Sequence, residues 1–105
     1  MLVKQSAEIA PELDGLAVVQ ALADPVRLAI VRQLSGCPSG GSMTCGSVEI
    51  PVSKSTATHH FKILEAAGIV GQRAEGRCKF LHLRRAELDA AFPGLLDSVL
   101  RATAD

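Results

Sequence analysis

Between Ser53 and Leu83 the chain reads SKSTATHHFKILEAAGIVGQRAEGRCKFLHL, and its apolar period changes partway through. Ala57, Phe61 and Leu64 recur at i, i+4 and i+7, the spacing of one buried helical stripe. Ser53 suits the N-cap of that helix, because its hydroxyl accepts from the backbone N–H groups of the first turn. Gly68 suits its end, since glycine reaches the left-handed conformation that stops a helix. The spacing therefore predicts a helix from Ser53 to Ala67. Ile69 to Arg73 and Cys78 to Leu83 then read as two strands around a turn at Ala74-Glu75-Gly76-Arg77. A helix, a glycine stop and a hairpin in so short a stretch have to share one small core.

Upstream, Leu13, Leu16, Ala17, Val19, Ala21 and Leu22 suit a first helix. Asp24-Pro25 opens a second, because Asp caps well and the missing N–H of Pro costs nothing at the first helical position. That helix is expected to bury Val26, Ala29, Ile30 and Leu34. It leaves Arg27, Arg32 and Gln33 outside and stops at Ser35-Gly36. Residues 35–47, SGCPSGGSMTCGS, form the long flexible stretch. No Lys follows the GGS and the spacing of a phosphate-binding loop is absent, so that reading is rejected. A short helix is expected from Thr44 to Ile50, ending at Pro51. Arg84 to Ala91 suits another, and Phe92-Pro93-Gly94 interrupts it. Pro93 at a first helical position would open the last helix, with Leu95, Leu96, Val99 and Leu100 as its apolar face.

The 105 residues suit one domain, 1–105, mainly α with a small β-hairpin wing. A hydrophobic fraction of 48% with 3% aromatic implies a core of Leu, Ile, Val and Ala. A domain this small buries about two thirds of its chain surface, so the last amphipathic helix has two destinations, a partner subunit or its own core. No apolar run approaches the roughly 18 residues of a membrane span. MLVKQSAEIAPEL lacks the apolar run of a signal peptide, so a cytoplasmic location without membrane association is expected. Three cysteines in such a chain argue against a disulfide framework. The carboxylates are scattered, with no motif uniting a nucleophile and an acid–base pair, so neither an enzyme nor a cofactor is expected.

The formal net charge of zero hides an asymmetry. Residues 53–85 carry seven Lys and Arg against two Glu, a net of +5, while residues 1–52 sum to −2 and residues 86–105 to −3. Such a local excess is the electrostatic footprint of a polyanion partner; on charge alone, an ordinary solvated face is the competing reading. The basic segment also carries the polar side of the Ser53 helix. Ser55, Thr58, His59 and Lys62 lie opposite the buried stripe, joined near the N-terminus by Lys54 and Thr56. Two helices with a tight connection, the second polar outside, describe a helix-turn-helix. Double-stranded DNA is then the expected partner. Ser55, Thr58 and His59 would reach base edges in the major groove, and Lys54, Thr56 and Lys62 would divide between phosphates and bases. The helix N-terminus at Ser53 offers backbone N–H groups to a phosphate. Arg73, Arg77 and Lys79 on the hairpin would hold phosphates or enter the minor groove. His60 faces nearer the buried stripe and reads as structural. Adjacent helical residues point about 100° apart, so His59 and His60 do not easily share an ion.

These residues resemble a known family. ALADPVRLAIVRQL is similar to the second-helix signature of the ArsR/SmtB winged-helix repressors, and VSKSTATHHFKILEAAGIVGQRAEGRCKFLHL to their recognition helix and wing. The resemblance spans residues 21–83. It implies a winged helix-turn-helix that is dimeric through its first and last helices. It also implies a repressor of an inverted-repeat operator that responds to a metal or metalloid ion, to oxidation or to reactive sulfur. A homodimer would set two recognition helices roughly 34 Å apart, in successive major grooves. The family's usual metal sites do not carry over. Ser42 and Thr44 stand where the arsenic-type Cys-x-Cys pair would be, and residues 86–105 lack the His of the zinc-type site.

Cys37 and Cys45 flank the Gly/Ser-rich loop and are candidates for redox sensing. Closing so short a flexible loop costs little, so their sulfurs can meet. A position near a helix N-terminus would lower the Cys45 thiol pKa and make it reactive. Two unreactive thiols are the plain alternative. Cys78 reads as a small filler on the second wing strand. Three function classes stay open: a redox- or sulfur-responsive repressor, a metal-responsive repressor using Cys37, Cys45 or His82 in an unfamiliar site, and a protein-interaction module of winged-helix shape. The inducer itself is not legible.

Overall fold

The computed structural model describes residues 13–37 and 42–104. The element order is α1 (Gly15–Leu22), α2 (Pro25–Ser35), β1 (Ser42–Thr44), a single 3-10 turn (Cys45–Ser47), α3 (Lys54–Ala66), β2 (Val70–Glu75), β3 (Cys78–Leu83), α4 (Arg85–Ala91) and α5 (Leu95–Ala102). Both early helices start on an aspartate. Asp14 accepts from Leu16 N–H at 3.2 Å, and Asp24 Oδ2 accepts from Val26 and Arg27 N–H at 2.9 and 3.0 Å, with Pro25 at the first helical position. The N–H groups that open a helix have no partner within it, and these carboxylates supply one.

α3 ends in a Schellman motif. Gly68 takes φ +82°, its N–H donates to Glu65 and the N–H of Ile69 donates to Leu64, both at 3.0 Å. Leu64 and Ile69 are both fully buried, which adds the apolar contact that usually accompanies this turn. The chain thereby reverses straight into β2. The sheet has the order β1-β3-β2, antiparallel throughout, with Met43 and Gln72 flanking Leu81. Strand alternation sends Leu81 and Leu83 inward, where they meet Ile30, Val31 and Leu34 of α2 and Leu64 of α3 in one buried cluster. Val18, Leu88 and Leu96 extend that cluster to α1, α4 and α5.

Several expectations change. The helix expected over Thr44 to Ile50 is a strand and one 3-10 turn. Ser42–Thr44 instead pairs with the edge of β3 that a two-stranded hairpin would leave open, and Gly46 weakens any longer helix. The wing is therefore a three-stranded sheet. β2 continues to Glu75, so its turn narrows to Gly76-Arg77, with Gly76 at φ +60°. Pro93 does not open α5. It keeps Phe92 out of the helical conformation (φ −134°, ψ 77°), and Gly94, at φ +81°, caps the helix that begins at Leu95. In α2, Val31 joins Ile30 and Leu34 in the core, while Val26 and Ala29 are half-buried.

α1 and α5 leave apolar surface uncovered. Leu16 is 66% and Val19 49% exposed. A concavity of about 730 Å³ lined by Val19, Leu22, Leu28, Arg32, Leu95 and Val99 lies between α1, α2 and α5. Among the described residues, no helix is long and apolar enough to cross a membrane.

Candidate nucleic-acid interface

α3 divides as its apolar spacing predicts. Phe61 and Leu64 are buried and Ala57 is half-buried, while Ser53, Lys54, Ser55, Thr56, Thr58, His59 and Lys62 are all exposed. Arg73, Arg77 and Lys79 are exposed on the wing. The fold thus brings every candidate contact residue onto α3 and the neighbouring hairpin.

Local hydrogen bonds sort these side chains. Ser53 Oγ accepts from Thr56 N–H at 3.3 Å and donates to Thr56 Oγ1 at 3.0 Å, so this hydroxyl caps the helix. The Thr58 hydroxyl donates to the Lys54 carbonyl at 3.0 Å. Its oxygen lone pairs and methyl remain outward, which suits a base amino group or a thymine methyl. Lys54, His59 and Lys62 project from the same helix. On the wing, Arg73 lies 4.7 Å from the Phe80 ring centroid and its Nε donates to Glu75 at 3.0 Å. Arg73 is therefore partly neutralised before any ligand arrives, whereas Arg77 follows the turn glycine at the hairpin tip.

Comparison with known proteins places this geometry. The chain is 37% identical over 84 residues to the HTH-type transcriptional regulator YceK of Bacillus subtilis, an alignment that covers 78% of this chain and 82% of that one. The chain belongs to the helix-turn-helix transcriptional regulators. Residues 22–73 match the helix-turn-helix domain family. Its fold is the winged helix of the ArsR/SmtB type. The crystal structure of an ArsR family transcriptional regulator superposes with a TM-score of 0.64 at 24% identity, covering 79% of this chain and 89% of that one. The transcriptional repressor BigR from Xylella fastidiosa gives 0.67 at 22% identity, covering 87% of each chain. Members of this family are DNA-binding regulators and not enzymes.

In this helix-turn-helix regulator the tight connection before α3 is held from behind. Gln33 Nε2 donates to the Glu49 carbonyl at 2.6 Å, and Glu49 N–H donates to Gln33 Oε1 at 2.8 Å. Along the chain Gln33 reads as a solvated residue, because nothing in its spacing announces a distant partner. Arg27 is expected outside as well, yet its guanidinium reaches the end of α1 and His60 Nδ1.

The charge excess also contracts. Arg84 Nη1 donates to the Gly68 carbonyl at 3.2 Å, and Arg85 binds Asp89, Asp97 and the Ser35 hydroxyl. These two cations tie the end of the wing to α3, α2 and α5. They do not belong to the exposed basic face.

The cysteines differ from expectation in two respects, one being that Cys78 is exposed and not a filler. Cys45 is half-buried, and burial, the largest influence, pushes its thiol up despite the nearby Lys79; it is not an activated thiolate. It lines a cavity of about 300 Å³ with Val48, Ile50, Val52, Ala57 and Phe61, between the 3-10 turn and α3. Cys37 Sγ donates to the Ser42 carbonyl at 3.1 Å, and Cys78 is exposed. His82 faces away from the core across from Ser42 and Gly71, with its ring in the space a Gly71 Cβ would need. Among the described residues, no three His, Cys, Asp or Glu side chains gather where a metal ion would bind.

Proposed function

We propose that this regulator is a homodimeric repressor of an inverted-repeat operator, read by α3 in the major groove and gripped at the flanks by the wing. The observation that carries this reading is the face formed by Lys54, Ser55, Thr58, His59 and Lys62, beside Arg77 and Lys79. All are exposed, and none of their side chains holds the core together. The dimer is supported by Leu16, Val19 and the apolar concavity between α1, α2 and α5. Footprinting on the DNA upstream of its own gene tests the reading. Salt-dependent protection of two half-sites is expected, and protection without two-fold symmetry would refute the dimeric operator. Leu16→Glu should yield a monomer by sedimentation.

The regulatory signal we propose is oxidation of Cys37 and Cys45. Cys37 follows the end of α2, and Cys45, next after β1, begins the turn that abuts α3. Peroxide oxidises the Cys37 thiol to a sulfenic acid, with water as the other product. The Cys45 sulfur then displaces water to form the disulfide, shifting the turn and loosening the half-site geometry. Peroxide should weaken operator binding by wild type and spare Cys37→Ser and Cys45→Ser. Equal weakening of all three would exclude the switch.

A further inference from the structure

Arg27 joins three helices through one side chain. Its Nε donates to the Ala21 carbonyl at 2.7 Å and its Nη2 to the Gln20 carbonyl at 3.4 Å, both at the C-terminal end of α1. Its Nη1 lies 3.2 Å from His60 Nδ1 on α3. Its own N–H is held by Asp24, the cap of α2. A guanidinium only donates, so His60 Nδ1 accepts and the ring proton resides on Nε2.

The surroundings give this contact weight. Ala17, Gln20 and Ala21 face Ile63, Ala66 and Ala67 across a cleft of about 310 Å³ that Arg27 also lines. With alanines on both walls of this cleft, the Arg27 bridge adds a directional polar tie to the packing of α1 against α3. The α1 carbonyls carry the negative end of that helix, which favours a cation at this place.

We infer that Arg27 is a positioning residue for DNA reading: through His60 it sets the pitch of α3 against α1. This rests on the operator reading above. In a dimer built on α1, the α1–α3 angle fixes the separation and tilt of the two reading helices.

Fluorescence anisotropy tests this with a labelled duplex that the wild-type protein selects from a random-sequence pool. Arg27→Met should bind about ten-fold more weakly with the dimer mass unchanged. Arg27→Lys, which keeps the charge but not the fork of donors, should recover part of the loss. His60→Gln, whose side-chain carbonyl still accepts from Arg27, should bind nearly as well as wild type. Full affinity in Arg27→Met, or a loss in His60→Gln as large as in Arg27→Met, overturns the inference. Nitrogen NMR of the imidazole gives a reading free of DNA: wild-type His60 should carry its proton on Nε2. A proton on Nδ1 overturns the contact itself, whereas failure to select any duplex overturns the operator reading.

Discussion

The side-chain amide of Gln33 closes on both backbone groups of Glu49, sixteen residues away, with contacts of 2.6 and 2.8 Å. An amide that mimics a strand edge in this way fixes the position of a connection that has no regular structure of its own. Residues 48–53 run between the 3-10 turn and α3, so this clamp determines where α3 begins. Gln33→Ala should cost about 1–2 kcal/mol, the range for two partly solvated hydrogen bonds. Urea denaturation checks this, and the loss of operator affinity should exceed what the fraction unfolded explains.

Asp24 is a second fixed point. Its hydrogen bond from the Arg27 backbone N–H, joined by the Arg27 charge and outweighing the opposing effect of burial, holds its carboxyl below the ordinary aspartate range. Its contribution is therefore complete above the unfolded aspartate pKa and is lost as pH falls through the depressed folded value. Asp24→Ala should lower stability by about 1 kcal/mol at neutral pH. The gap between wild type and variant should close in acid, as thermal melts across the pH range would record. A constant gap would assign the loss to helix propensity alone.

Gly68 has no substitute. Its φ of +82° disfavours any side chain, and a Cβ there would sit 2.4 Å from Leu13 Cδ2. Gly68→Ala combines backbone strain with displacement of Leu13, for a loss of about 2 kcal/mol or more. The same substitution at Gly46, where a Cβ would meet nothing within 4 Å, should be nearly neutral. Chemical denaturation of the two variants side by side provides the comparison.

The wing cations are unequal. Lys79→Ala should lower the slope of log affinity against log salt by about 1, as expected for one lost phosphate contact. Arg73→Ala should change that slope less, because Glu75 already answers its charge at 3.0 Å. Equal slopes for the two variants would show that the Arg73–Glu75 pair opens on DNA.

Local signals made much of this fold legible. Asp24-Pro25, Ser53 and Gly68 marked helix ends whose chemistry is complete within a few residues, and the structure places all three there. The Ala57–Phe61–Leu64 stripe oriented α3 because burial of one face imposes its own period. The exposed contact candidates followed from that orientation. Where the local signal was ambiguous, the expectation erred: Ser42–Thr44 is too short to show strand alternation and becomes a strand only because the edge of β3 lies beside it.

The sequence by itself determined that a capped, one-sided helix runs into a basic hairpin, since caps, stops and periodicities act over a few neighbouring residues. Only the tertiary structure decided which polar side chains are committed to holding that unit in place. Arg27, Gln33, Arg84 and Arg85 look like solvated residues along the chain, yet each meets a partner at least six residues away. Burial decided the state of Cys45 in the same way, because desolvation depends on what packs around a thiol and not on its neighbours in sequence.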